Sequence, residues 1–418
     1  LFLAHPARRN FANRHRPHRN VVLAWRTVAV RTAATPPGLR ARNRNAGTLQ
    51  PATDTLLQSA ATTPQTSIQM TFTQIPPEYA PLGGELRYAV SQETAGNIDI
   101  RIVDAAAGSA AGIGAAVSPG GADRAGTRGP VGDGSALLGA KRFAAVAEAA
   151  FDAAPYLRRR LHFTPATGRT GFYPAEGRTV TAVVEVAGTD GEAATAIAPA
   201  RTFLPGDAPG TPGLRTSMPL VRLIPEDACD ELTLLTDGPC IVTVTAEAGD
   251  TATAESYRAS EAGLHLFRLD MRDFPGAERV TVDAGTCGTV VYSVTPAVQG
   301  QVRLAWRSSA GSVEHYTFPI VRTTTVRTER REAEGPQGRV VAAAETDREI
   351  VLVSAYETRS MLEPLAELTA TAAAWIVTEK RYIPVDIATE EAVVQRRGTL
   401  SCLEIAIRPK RKKHAAWN

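Results

Sequence analysis

The chain has 418 residues, more than one hydrophobic core usually serves, so two or three domains are expected. Its 44% hydrophobic content is too high for general disorder, and no apolar run approaches the 18 or so residues of a helical membrane span, so the sequence predicts a water-soluble body. The net charge of +3 is unevenly spread: residues 1–69 contain ten arginines and one acid, Asp54, leaving 36 basic against 42 acidic side chains in the rest. A mildly acidic body argues against nucleic-acid binding outside the ends.

Residues 1–69 lack alternation and strand-like runs, and the first methionine is Met70. Three readings fit: an arginine-rich transit peptide, a basic arm that binds nucleic acid, or upstream sequence carried into the reading frame. The third is favoured, which makes the segment an unstructured and dispensable leader. Arg26 interrupts the apolar patch Val21–Trp25 and no small-residue cleavage site follows, which argues against a secretion signal.

A β-rich domain is expected over 70–204. Leu86–Val90 and Ile98–Val103 alternate apolar and polar residues, as half-buried strands do. Residues 106–139 are rich in Gly, Ala and Pro and read as a long flexible loop. Residues 142–154 place Phe143, Val146, Ala150 and Phe151 on one helical face, so a helix ending at Pro155 is expected there. Strands are expected at 158–163 and 178–186. Residues 205–213, with glycine alternating with proline, read as a linker with nothing apolar to anchor it.

Residues 214–298 carry the pattern of a small β-sandwich, with strands expected at 219–224, 231–236, 241–247, 264–270, 278–283 and 289–295. An α+β module is expected over 299–409. It opens with a hairpin, Val302–Trp306 against His315–Val321, and continues with a strand at 350–354. A helical pattern follows over 360–375, with Met361, Leu365, Leu368, Ala372 and Trp375 at helical spacing, and strands at 375–377, 382–387 and 403–407 close the module. Residues 410–418 form a basic tail, with Arg408 just before it, that reads as a solvated terminus. The expected fold class is therefore mainly β: several sandwich-like domains and a C-terminal α+β module.

Chemical signatures are sparse. Cys229, Cys240, Cys287 and Cys402 have no zinc-ligand spacing, although Cys229 and Cys240 could face each other across a hairpin. Gly134–Lys141 nearly spells a phosphate loop, but Arg142 stands where a magnesium-binding Ser or Thr belongs. The body's histidines, His162, His265 and His315, lie in different expected strands, and no Gly-x-Ser-x-Gly elbow is present. Glu226–Asp227 and Glu390–Glu391 sit in turn-like surroundings. Asp133, Asp190 and Asp237 each precede a glycine and read as turns. No catalytic, cofactor or metal residue is assigned, which favours binding or assembly over catalysis. Trp306, Tyr316 and Phe318 are expected to pack together across the hairpin strands.

The tryptophan strand, glycine turn and Tyr316-Thr317-Phe318 strand, followed by a helix, Trp375 and Pro384-Val385-Asp386-Ile387, resemble the C-terminal module of phage and prophage tail proteins. Phe151–Arg159 looks similar to the same group. The resemblance covers about a third of the body, in residues 302–409 and 143–160, and brings no catalytic residues. It implies a virion structural protein, assembled in a bacterial host cytoplasm with other particle proteins and with self-association as a further option. A surface adhesin or carbohydrate-binding protein is the alternative, and an enzyme with a dispersed site around one histidine the third reading.

Overall fold

The computed structural model describes residues 69–105, 136–188, 195–336, 338–394, 399–410 and, by backbone alone, 413–416. The expectations for 1–68, most of the Gly-rich stretch, and the Asp-Gly pairs at 133 and 190 lie outside the described residues. The chain is mainly β, as its composition and alternation predict. Among the described residues no helix is long and apolar enough to cross a membrane.

The first sheet contains β1 (Met70–Gln74), β2 (Arg87–Asp104), β3 (Leu137–Asp152), β5 (Val180–Ala187), β6 (Ala196–Ile197) and β7 (Arg201–Phe203). The two alternating runs at 86–90 and 98–103 prove to be one long strand, β2. Tyr88, Val90, Ile98, Ile100 and Ile102 all point into the core, where Tyr88 stacks on Phe151 at 5.5 Å. The helix expected at 142–154 is not formed. Those residues belong to β3, antiparallel to β2, and only Ala154–Leu157 is helical. Alanine's helix propensity is worth tenths of a kcal/mol per residue, and a full ladder of interstrand bonds outweighs it. The strand bulges where Gly96 meets Val146, next to Ala145, whose φ of 53° is left-handed. The strand expected at 158–163 is also replaced, by a 3-10 turn at Arg158–Arg160.

The sandwich forms as expected from its β-branched runs. One sheet is β4 (Gly171–Tyr173), β13 (Gly263–Asp270), β10 (Cys229–Thr236) and β8 (Gly213–Arg215), in that order. The other is β12 (Thr251–Ala259), β11 (Cys240–Ala248), β14 (Arg279–Asp283), β15 (Thr289–Thr295) and β9 (Val221–Pro225), the last pair being parallel. Leu232, Leu234, Val242, Val244, Phe267 and Val282 fill the space between them. Because β4 lies before residue 204, the sandwich takes an edge strand from the expected first domain.

The fourth sheet is β17 (Val313–Phe318), β16 (Val302–Arg307), β20 (Ala374–Val377), β21 (Tyr382–Ile387), β22 (Glu404–Pro409), β19 (Gly338–Val353) and β18 (Ile320–Gly335), with β23 (Lys413–Ala416) also on β19. The helical stretch is shorter than expected: Arg359–Ala366 and the 3-10 turn Glu367–Ala370 bury Met361, Leu362, Leu365 and Leu368 against Leu304, Trp306 and Leu352, while Ala372 lies beyond them and Trp375 belongs to β20. β18 and β19 form a ribbon of sixteen residues per strand, roughly 50 Å long at about 3.3 Å per residue.

The segment 205–213 is not an unanchored linker. Arg215, itself buried, donates to the carbonyls of Pro205 at 2.9 Å, Pro209 at 2.9 Å and Ala208 at 3.3 Å. Gly83 N donates to Gly206 O, and Asp207 N to Ser309 O at 2.7 Å. Gly206 has φ of 74°, and a Cβ there would meet backbone of Ser309 and Gly311 within 2.4 Å, so only glycine fits.

Candidate functional site

Strand β10 is buried along its whole length, although a sandwich strand ordinarily has one wet face. Leu232 and Leu234 fill the sandwich core. Asp230 meets the second sandwich sheet and the C-terminal sheet, and Glu231 meets segment 163–178, so β10 is the place where charge from three parts of the chain converges.

Asp230 sits at its centre. The Tyr292 hydroxyl donates to Asp230 Oδ2 at 2.8 Å, and Arg222 Nη1 donates to the same oxygen at 3.2 Å. His315 Nδ1 lies 3.1 Å from Oδ1. Arg222 also reaches Glu314 Oε2 at 3.4 Å, Thr216 Oγ1 at 2.7 Å and Pro219 O at 2.6 Å. Glu314 in turn accepts from Ser312 Oγ at 2.6 Å and from Ser217 N at 3.2 Å. The side chains of Arg222, Asp230 and Glu314 are at most 3% exposed.

The electrostatics follow from that burial. Burial works to raise the Asp230 carboxyl, but His315 and Arg222 outweigh it and hold it well below the usual carboxylate range. Burial raises Glu314 above its ordinary value, with Arg222 only partly opposing. Burial lowers His315, so its ring is neutral at pH 7. His315 Nε2 lies 3.2 Å from the Tyr382 hydroxyl, whereas Nδ1, though close to Asp230, makes no aligned hydrogen bond. Tyr382 also receives Arg268 Nη1 at 3.2 Å and lies 3.8 Å from Cys229 Sγ. Burial pushes the Tyr382 phenol well above its usual value.

A second buried pair flanks the first. Arg178 Nη2 donates to Glu231 Oε1 at 2.9 Å, with both side chains at most 1% exposed. Glu231 Oε2 accepts from Ala166 N at 3.1 Å. Arg268 on β13 donates to Ala166 O and Gly168 O, each at 2.9 Å, and to Asp270 at 3.2 Å. The segment 163–178 of the first domain is thus held to the sandwich by charge.

An Asp–His–Tyr series beside a cysteine has the parts of a proton relay. His315 is fully buried, and the Tyr382 hydroxyl lies between its ring and Cys229, so among the described residues no base contacts the thiol. The adjoining hollow of about 120 Å³ is lined by Cys229, Arg268, Arg272 and Arg303 and not by His315. Arg268 and Arg272 are already paired with Asp270, and Arg303 donates to Cys229 O and Thr317 Oγ1. A wider cavity of about 610 Å³ lies between Gly83, Arg158, Asp207, Arg307 and Glu367. Its arginines are committed as well: Arg158 to the carbonyls of Leu82, Gly83 and Gly84, and Arg307 over the Phe163 ring at 4.1 Å.

The residues singled out in the sequence are dispersed. Trp306, Tyr316 and Phe318 are all buried, with Tyr316 edge-on to Phe318 at 5.0 Å. In the register Trp306 faces Glu314 and Tyr316 faces Leu304. His162 bonds through its backbone to Gly177 O, and His265 Nε2 lies 2.9 Å from Glu261 O. Lys141 lies within β3 and not at the start of a helix, as a phosphate loop requires. Cys229 and Cys240 do not face each other, because β10 and β11 belong to different sheets; all four cysteines are free. Glu226 and Asp227 accept from Ala297 N and Gln301 Nε2, which pins a turn. Arg408 pairs with Glu349 and Lys410 with Asp386, so the start of the basic tail is neutralised by its own sheet. Among the described residues no cluster of three His, Cys, Asp or Glu side chains could hold a metal.

No protein-family model matches the chain, and no curated protein does. Solved structures with some likeness include the calcium-binding domain CBD12 of CALX1.1, at 15% identity over 52% of this chain and 79% of that one, with a TM-score of 0.18. CBD12 of CALX1.2 gives 13% identity, 55% and 100% coverage and a TM-score of 0.18. A protein of unknown function from Porphyromonas gingivalis W83 gives 10% identity, 55% and 99% coverage and a TM-score of 0.13. Similarity this low carries no argument about architecture or activity.

The buried charges of Arg222, Asp230, Glu231 and Glu314 carry no mark in the sequence. They come from three strands, β9, β10 and β17, and are buried where β17 and segment 163–178 meet β10.

Proposed function

We propose that this chain is a structural component of a phage or prophage tail-like particle, and that it acts by holding neighbouring proteins rather than by turning over a substrate. The observation that carries the reading is the β18–β19 ribbon. Every residue of β18 except Gly335 is exposed, and the outer edge of the strand pairs with nothing among the described residues. A single folded chain gains little from sixteen ordered residues with no apolar face, whereas an assembly can use them as a contact arm. The buried charge lattice on β10 supports the same reading. It fixes three sheets against each other, as a load-transmitting part requires, and presents no open nucleophile. The adhesin alternative needs exposed aromatic platforms, and the hairpin aromatics are internal.

Mass spectrometry of purified virions or tail-like particles from the source tests the proposal. The chain should be present in several copies per particle. Recovery only as a free protein, with a hydrolase or transferase activity abolished by His315→Ala in a chain that still folds, would replace it with an enzyme.

A further inference from the structure

The edge of β18 also indicates what one of its neighbours is. Alternate residues of an edge strand leave their N–H and C=O groups unpaired, and proteins commonly protect such edges with charge. Here the charges are ordered: Arg322, Arg327, Glu329, Arg330, Arg331, Glu332 and Glu334, all exposed. Two copies of one strand can pair antiparallel only about a two-fold axis normal to the sheet, which sets one residue opposite its own copy. Centring that axis on residue 327, 329, 330, 331 or 332 opposes a charge with itself. Centring it on Ala333 opposes Glu332 with Glu334, and on Val326 sets Arg322 toward Arg330. Centres nearer the start of the strand leave its charged end, Arg331 to Glu334, without a facing strand. Between Val326 and Ala333, Thr328 alone opposes no like charges. There, Arg327 of each copy faces Glu329 of the other, while Arg330, Arg331 and Glu332 face Val326, Thr325 and Thr324.

A second observation fits the same register. Within one chain Glu329 lies directly opposite Glu345 on β19, and like charges opposed across a ladder are unfavourable. A guanidinium arriving at the outer side of Glu329 would offset that repulsion. The copy's Arg327 arrives there.

We propose that two copies of this chain pair edge to edge through β18, antiparallel, with Thr328 on the two-fold axis. The two β18 strands then join the ribbons at their edges, with β19 behind each, where β22 and β23 already pair with it. The proposal concerns the purified chain alone, so it stands or fails separately from the particle reading.

Sedimentation velocity and light scattering on the full chain, over a concentration series, test it. The wild-type chain should dimerise. Arg327→Glu and Glu329→Arg should each weaken the dimer by about tenfold or more, because each turns both symmetric pairs repulsive. Mixing those two variants should restore dimerisation. In the mixed dimer the carboxylate introduced at position 327 of one copy faces the guanidinium introduced at position 329 of the other, and the second pair is the native one. The double variant Arg327→Glu/Glu329→Arg should dimerise by itself. Unchanged circular dichroism would confirm that these exposed positions leave the fold alone. A wild-type chain that stays monomeric, single variants that dimerise as tightly as wild type, or a mixture that fails to recover the dimer would each overturn the proposal.

Discussion

His315 Nδ1 lies 3.1 Å from Asp230 Oδ1, with neither side chain more than 2% exposed, and the contact joins a strand of the sandwich to a strand of the C-terminal sheet. Asp230 also holds Arg222 and the Tyr292 hydroxyl, so removing its carboxylate leaves a guanidinium short of one anion and a phenol without its acceptor. Asp230→Ala should therefore cost about 3–5 kcal/mol in urea unfolding of the full chain. A loss under about 1 kcal/mol would mean that the lattice relaxes freely around the gap.

The same histidine gives stability a pH dependence. Burial lowers its pKa, with Arg303 acting in the same sense and Asp230 opposing. The folded chain keeps the ring neutral where the unfolded chain, titrating near 6.5, takes up a proton. The unfolded state then binds more protons, so this contribution is fully present above 6.5 and is lost as pH falls toward the lowered folded value. The slope should approach about 1.4 kcal/mol per pH unit at most. Urea midpoints at mildly acidic and neutral pH should converge in His315→Gln relative to wild type. An unchanged slope in that variant would assign the dependence to another group.

Arg178 and Glu231 make an instructive pair because removing one partner and removing both should differ. Glu231→Ala strands a guanidinium that is 1% exposed, and Arg178 already has two nitrogens without partners there. That single change should cost about 3–5 kcal/mol, whereas Arg178→Met with Glu231→Leu should recover most of the loss. Equal destabilisation by the single and the double variant would show that the pair contributes net attraction.

Much of the fold was legible because period two is a physical signature of a half-buried strand. Ile98, Ile100 and Ile102 show it in β2, and Val242 and Val244 in β11; Met361, Leu365 and Leu368 show helical spacing equally well. Residues 142–152 misled because their alanines favour a helix locally, while the partner that makes them a strand, β2, lies far earlier in the chain. Residues 322–335 showed nothing, since a strand exposed on both faces has no alternation to read. The polar centre was illegible for a related reason. Arg222, Asp230 and His315 are ordinary strand residues until the sheets meet, and burial is the property that sets them apart.

The connector at 205–213 supplies a test in which packing opposes composition. Its glycines and prolines suggest easy proteolysis, yet three of its carbonyls are bonded by the buried guanidinium of Arg215 and its backbone is bonded to Gly83 and Ser309. A protease needs several residues of extended, released backbone, so those bonds must break before cleavage. Wild-type chain should therefore resist limited proteolysis between Pro205 and Gly213. Arg215→Ala removes the shared donor, at about 1.5–3 kcal/mol for a charge-assisted group, and should open the segment to cutting. Mass spectrometry of the fragments locates the first cut. Rapid cleavage there in the wild-type chain, or continued resistance in Arg215→Ala, would show that Arg215 is not what holds the connector down.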